Sequence, residues 1–125
     1  MSAESEASAD AVVEAAALAA ASARWDELTV EFLALPGVSL ERAFGRMSLM
    51  VDGKLFASAG PRGLLIKVSE ARVSELLRTG QAGEFRSGAG RVMREWAVAT
   101  PDSDWSRLAA ESLEFVAAAN QPPAS

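Results

Sequence analysis

The side chains that most often carry out catalysis are missing from this chain. Its 125 residues include no cysteine and no histidine. Thiolate chemistry, a thiolate zinc site and any Ser-His-Asp arrangement are therefore excluded. Lys54 and Lys67 have Ser58 and Ser69 within a few residues, but nothing in the sequence indicates the desolvated lysine that a Ser/Lys pair needs. We therefore expect no catalysis, no cofactor and no bound metal.

Arginines beside a glycine-rich turn are the next candidates for chemistry. Gly88-Ala89-Gly90 lies between Arg86 and Arg91, and consecutive glycines can point backbone N–H groups at an anion. The P-loop pattern is absent, and a hairpin turn explains the glycines equally well. A phosphate site is thus the weaker interpretation of this segment.

Charge is segregated along the chain. Residues 32–100 carry ten bases and six acids, whereas residues 1–31 carry seven acids and one base. One interpretation is a basic sheet face that binds nucleic acid or an acidic partner. The other is a solvated arginine-rich face balanced by acidic helices. The candidate contacts of the first interpretation are Arg46, Arg62, Arg86 and Arg91.

A tryptophan close to arginines is a candidate interface. Arg94 and Trp96 occupy alternate positions of a predicted strand, which places them on one face. An exposed tryptophan beside an arginine is typical of a contact hot spot. A buried tryptophan covered by an arginine stem is the commoner arrangement.

The composition predicts one folded domain with extensions. Residues 1–9 are small and acidic and predict disorder, residues 10–24 are alanine-rich and predict a helical extension, and residues 120–125 predict a second disordered tail. The domain itself is expected over residues 25–119. No run approaches the roughly 20 apolar residues of a membrane span, and no basic residue precedes the alanine stretch as a signal peptide requires. Together with the absence of cysteine, this predicts a cytoplasmic protein that binds no membrane.

Apolar spacing predicts three helices. Trp25, Leu28, Phe32 and Leu35 recur at three- and four-residue steps until Pro36-Gly37. Ser69 is a predicted N-cap for a helix over residues 70–79, and Gly80 its C-terminal stop. A third helix follows Pro101, with Asp102 or Ser103 as its expected cap.

Alternating and β-branched segments predict five strands. They are expected over residues 43–51, 54–59, 64–68, 84–87 and 91–99. Asp52-Gly53 between the first two is typical of a type I′ hairpin. The predicted fold is a single-domain α+β sandwich in the order α-β-β-β-α-β-β-α, with helices packed on an antiparallel sheet.

The segment RAFGRMSLMVDGKLF, residues 42–56, resembles the N-terminal domain family of TfoX/Sxy proteins. The later pieces LLIKVSEA (64–71) and GRVMREWAV (90–98) follow in that family's order. Ala43 stands where methionine is usual, and Arg46 where a second glycine is usual. The resemblance implies the same element order, a fold similar to secretion chaperones and YjbR-like proteins, and no catalysis. Competence-regulating members carry a second, C-terminal domain, for which this chain is too short.

Two functions follow from these observations. The first is a non-enzymatic regulatory or adaptor module that acts by protein–protein contact and self-associates, as a homodimer, because sheet edges offer unpaired backbone groups. The alternative is a nucleic-acid-binding transcriptional regulator that uses the arginine-rich β face. A third possibility is a small-ligand binder or an enzyme that works through a pocket between the sheet and the helices.

Overall fold

The structure, a computed structural model, describes residues 2–43 and 45–120. In chain order its elements are α1 (Ser2–Leu33), β1 (Val38–Ala43), β2 (Arg46–Val51), β3 (Lys54–Gly60), β4 (Gly63–Lys67), α2 (Glu70–Arg78), β5 (Ala82–Arg86), β6 (Val92–Ala99) and α3 (Trp105–Asn120). The strands form one antiparallel sheet in the order β1-β2-β3-β4-β6-β5. The helices pack on the sheet, which confirms the predicted α+β fold.

The helices share one face of the sheet. α3 packs on β2, β3 and β4, α2 packs on β5 and β6, and α1 lies beside β1 and α3. Alternation along the strands sends one set of apolar side chains under these helices, among them Leu49, Leu64, Ile66, Ala97 and Ala99, all fully buried. The core therefore lies between this face and the helical layer, and no helix of the described residues packs on the opposite face.

Arg72 connects two helices of that layer. Arg72 lies in α2, and its guanidinium donates two hydrogen bonds to the Glu111 carboxylate of α3, at 2.8 and 3.0 Å. Donating to the Glu111 carboxylate raises the pKa of the Arg72 guanidinium. This bidentate geometry fixes the relative position of α2 and α3.

A bulge between β2 and β3 is completed by a serine from α3. Leu49 pairs with Ala57, but Met50 pairs with Leu55, so Phe56 is the extra residue. The Ser112 hydroxyl donates to the Phe56 carbonyl at 2.6 Å and accepts from the Lys67 N–H at 2.8 Å. Ser112 thus satisfies two backbone groups that the bulge removes from the ladder between β3 and β4.

The second half of α1 carries the predicted apolar face. Leu28 and Phe32 are buried, and Trp25 packs against the core. Phe32 meets Phe56 with ring centroids 5.8 Å apart. The helix ends at Leu33, and Leu35 lies beyond it with 40% of its surface exposed. Leu35 is therefore not part of the buried face that the spacing predicted.

The single strand predicted over residues 43–51 is wrong. The structure has two antiparallel strands here, β1 and β2, with Ala43 paired to Arg46. Gly45 has a φ of +74°, a conformation that favours glycine and turns the chain. The described sheet therefore contains six strands, one more than predicted, and four of them precede α2.

The other turn signals are confirmed. Asp52 and Gly53 have φ values of +51° and +81°, as a type I′ hairpin requires. Ser69 caps α2 by accepting a hydrogen bond from the Arg72 N–H. Gly80 follows α2 with a φ of +75°, the left-handed conformation expected at a helix stop.

Both predicted caps of the last helix, Asp102 and Ser103, lie before the residue that caps it. The Asp104 carboxylate accepts from the Arg107 N–H at 3.1 Å, so Asp104 caps α3. Ser103 instead donates to the Gln81 carbonyl. Asp102 accepts from the Thr100 hydroxyl, which holds the pKa of this carboxyl below its ordinary value. Both side chains thus organise the loop between β6 and α3.

The extensions predicted at the two ends are covered only in part. α1 begins at Ser2 and includes residues for which the composition predicts disorder. α3 ends at Asn120, and residues 121–125 lie outside the described residues. Within the described chain, no helix combines the length and the apolar character needed to cross a bilayer.

Candidate functional site

The sheet face opposite the helices forms an apolar groove. It has a volume of about 500 Å³ and crosses the sheet from β2 to β5. A groove of this size lies within the range of roughly 300–1,000 Å³ typical of ligand sites. Its apolar lining consists of Pro61, Leu65, Phe85, Met93, Trp96 and Val98. We call this surface the open-face groove.

Aromatic side chains form the end of the groove at β5 and β6. The Phe85 and Trp96 rings are tilted against each other with centroids 6.4 Å apart. Both side chains are half-buried, so an aromatic surface stays accessible. This arrangement is preorganised, because each ring restricts the rotamers of the other.

Two arginines form the opposite end of the groove. Arg46 begins β2, and Arg62 lies in the tight turn between β3 and β4. Neither has an acidic partner within ion-pair distance among the described residues. Both guanidinium groups are therefore available to bind an anion.

Gly60 determines where Arg46 lies. A Cβ built on Gly60 would overlap the Arg46 guanidinium, so this side chain crosses β3 over the glycine. Below it, the Ser48 hydroxyl donates to Ser58 Oγ at 2.9 Å, and both serines are buried. Because Gly60 has no side chain, the charged Arg46 guanidinium can lie on the floor of the groove.

A second, smaller cleft lies on the other side of Trp96. It has a volume of about 370 Å³ and lies between the end of α3 and the ends of β3 and β4. Lys67 Nζ lies 5.5 Å from the Trp96 ring centroid, in cation–π range. Phe115, Val116 and both lysines of the chain, Lys54 and Lys67, are among its lining residues.

The charged side chains that line the two cavities are cationic. Four cationic side chains line them, and no acidic side chain does among the described residues. The surfaces supply apolar contact and N–H donors, which is the chemistry of binding an anionic, partly apolar partner. Trp96 is the wall that the two cavities share.

The structure separates the four arginines that the sequence grouped. Arg46 and Arg62 meet in the open-face groove. Arg86 is instead ion-paired to Glu84 at 2.8 Å and donates to the Gly90 carbonyl. Arg91 is exposed at the β5–β6 turn, and neither of these two lines the groove.

The predicted interface pair is also divided. Trp96 lines the groove, but Arg94 makes an ion pair with Glu70 at 3.6 Å. Met93 lines the groove near Trp96 instead. The cause is a register shift between β5 and β6 near Glu84 and Arg86, which breaks the simple alternation along β6.

Sequence reasoning missed most of the apolar lining. Leu65 and Val98 alternate with buried neighbours, and they pair with each other across β4 and β6. In the sequence they are part of continuous apolar runs, so they resemble core residues. The signal that the sequence offered is the pair of glycines at 60 and 63, which face each other across the β3–β4 turn and allow the Arg46 side chain and the Ala99 backbone to approach closely.

Comparison with known proteins adds no relative. No family model matches the chain, and no curated protein or solved structure does either.

Proposed function

We propose that the chain is a non-enzymatic protein-interaction module, regulatory or adaptor in kind, that binds a partner polypeptide in the open-face groove. The supporting observation is the groove itself, in which an aromatic and aliphatic surface ends at two arginines that have no ion-pair partner among the described residues. The segment that fits carries both apolar side chains and carboxylates. Tryptophan and arginine are the residues that most often dominate binding energy in protein interfaces.

The proposal includes the family and the location. The hairpin segment at residues 42–56 and the order of the later elements support a TfoX/Sxy N-terminal-like domain. Strand β1 lies outside the order that this resemblance implies. The absence of cysteine supports a cytoplasmic location.

Two labelled peptides test the proposal. They share their leucines and differ only in carrying glutamates or lysines, and their binding to the full chain is measured by fluorescence anisotropy. We expect saturable binding of the glutamate peptide alone. Trp96→Ala should weaken it about 30-fold, corresponding to the roughly 2 kcal/mol of an interface hot spot.

Matched substitutions separate the groove from general charge. Arg46→Glu and Arg62→Glu should each weaken binding of the glutamate peptide. Arg78→Glu on α2 makes the same charge change at an exposed arginine away from the groove and should leave binding unchanged. Equal effects of all three variants would argue against the groove as the binding site.

Nucleic acid is the second candidate, since Arg46, Arg62 and two aromatic rings share the groove. Bases stack on such rings. Between about 50 and 200 mM salt, two phosphate contacts would weaken binding about 12-fold and four contacts about 150-fold. A duplex or single strand that binds saturably with either dependence, and loses binding in Arg46→Glu, would favour this function over peptide binding.

A further inference from the structure

The described side chains in the first part of α1 do not pack against the core. Every described side chain between residues 11 and 20 is exposed, and packing against the core begins at Ala21. Val12 and Val13 are each 67% exposed, and Leu18 is 60% exposed. We call residues 2–20 the arm. Three large apolar side chains of the arm therefore face solvent.

The arm has the opposite charge to the groove. Its sequence contains four acids and no base: Glu4, Glu6, Asp10 and Glu14. The open-face groove and the neighbouring cleft contain two arginines and two lysines and, among their described lining residues, no acid. The arm therefore combines the carboxylates and the apolar side chains that the groove selects.

The dimensions also agree. At 1.5 Å per residue the arm is about 28 Å long. The groove crosses five strands, which at normal strand spacing is about 19 Å. One helix can therefore cover the groove and place residues on both sides of it.

The arm cannot reach the groove of its own chain. α1 is one continuous helix from Ser2 to Leu33. Its second half is held in the helical layer, where Arg24 stacks 4.5 Å from the Trp105 ring centroid. The groove lies on the opposite face of the sheet, so a straight helix projects away from it.

We propose that the arm of one chain docks in the open-face groove of a second copy, and that reciprocal docking forms a closed two-fold dimer. The inference rests on the proposed function, because it names the occupant of the same groove. Two identical arm–groove contacts satisfy the symmetry of a dimer without an open chain of subunits. The dimer also covers the apolar groove that a monomer leaves exposed, so the glutamate peptide binds the full chain by displacing the arm.

Mixing two complementary variants tests the reciprocal docking of the arms. One variant has an intact arm and a disabled groove, Arg46→Glu with Arg62→Glu. The other lacks residues 2–20 and keeps its groove. The core residues that the structure describes lie from Ala21 onward, so we expect this variant to retain the packed domain. By sedimentation velocity we expect the wild type to be a dimer and each variant alone to be a monomer. The mixture should form a one-to-one complex, since a single arm–groove pair is restored.

Point substitutions in the full chain provide a second readout. Replacing Val12, Val13 and Leu18 together by serine should raise the dimer dissociation constant at least tenfold. The matched control is Val30→Ser with Leu77→Ser, which removes exposed apolar side chains outside the arm and should leave the constant unchanged. Circular dichroism and a thermal melt check that both variants are folded.

Three outcomes would contradict the reciprocal docking of the arms. A wild type that is monomeric overturns it, as does a mixture of monomeric variants that stays unassociated. A dimer that persists without the arm overturns it in favour of pairing through the sheet edges. If the arm-deleted chain still binds the glutamate peptide, the groove remains a binding site with another occupant; if it does not, the proposed function fails as well.

Discussion

At the residue scale, a single side chain can satisfy backbone groups that the pairing of strands leaves without a hydrogen bond. Ser112 lies in α3, yet its two hydrogen bonds reach β3 and β4. It is fully buried, and its helical spacing in the sequence gives no sign of this role. The bulge at Phe56 that creates the need is set by the pairing of strands, so only the tertiary structure reveals it.

Ser112→Ala should lower the free energy of unfolding by about 2 kcal/mol, because it leaves a buried N–H and a buried carbonyl without partners. Urea unfolding measures the effect. Ser106→Ala is the control on the same helix, where the hydroxyl donates to Glu31 at the surface, and should change the free energy by less than about 0.5 kcal/mol. Equal effects of the two substitutions would contradict the role assigned to Ser112.

Gly60→Ala tests a functional glycine without breaking the fold. The added methyl group displaces only the flexible end of Arg46, so the free energy of unfolding should change by less than about 1 kcal/mol. Binding of the glutamate peptide should weaken about tenfold, as expected when one charge-assisted contact is lost. Gly83→Ala, in a strand where a Cβ meets open space, should affect neither quantity. If Gly60→Ala left the peptide affinity unchanged, Arg46 would not contribute to peptide binding.

At the element scale, local signals predicted most boundaries and failed where turns were subtle. Asp52-Gly53, Ser69 and Gly80 are strong signals, and each marks the element end that the structure has. Residues 38–43 alternate as a strand, but they follow Pro36-Gly37 and precede a weaker turn at Gly45. The sequence pattern therefore extended one strand through the turn, and β1 was missed.

The cap of α3 gives a test at this scale. Asp104→Ala should lower the free energy of unfolding by about 1 kcal/mol through loss of the N-cap. Asp102→Ala removes only the surface contact with Thr100 and should cost less. Because the folded pKa of Asp102 is lowered, its contribution is present above pH of about 3.9 and fades as the pH falls below that value. Urea midpoints at neutral and acidic pH check the order, and a larger loss in Asp102→Ala would contradict the assignment of the cap.

At the scale of the whole molecule, the sheet face opposite the helices is the surface on which we propose that a partner binds. Three helices cover one face, and the other presents a groove with cationic ends. The segregation of charge along the sequence predicted a basic sheet and acidic flanks. It could not predict which arginines line the groove, because Arg86 and Arg94 are ion-paired to acids within the fold, whereas Arg46 and Arg62 have no such partner in the part of the chain that the structure describes.

The central claim is that the open-face groove binds an acidic, partly apolar polypeptide. The chain has three tryptophans, and only Trp96 lines the groove. Trp25 packs against the core from α1, and the buried indole of Trp105 donates to the Thr100 carbonyl at 3.0 Å. The three indole N–H resonances of the full chain therefore report on three separate places.

The most direct measurement is a titration of the ¹⁵N-labelled full chain with the glutamate peptide, followed through these indole resonances and assigned with Trp96→Phe. The account predicts that the Trp96 resonance shifts and saturates with added peptide while those of Trp25 and Trp105 stay in place. A saturating shift of Trp25 or Trp105 with Trp96 unmoved would place binding on the helical layer and contradict the account.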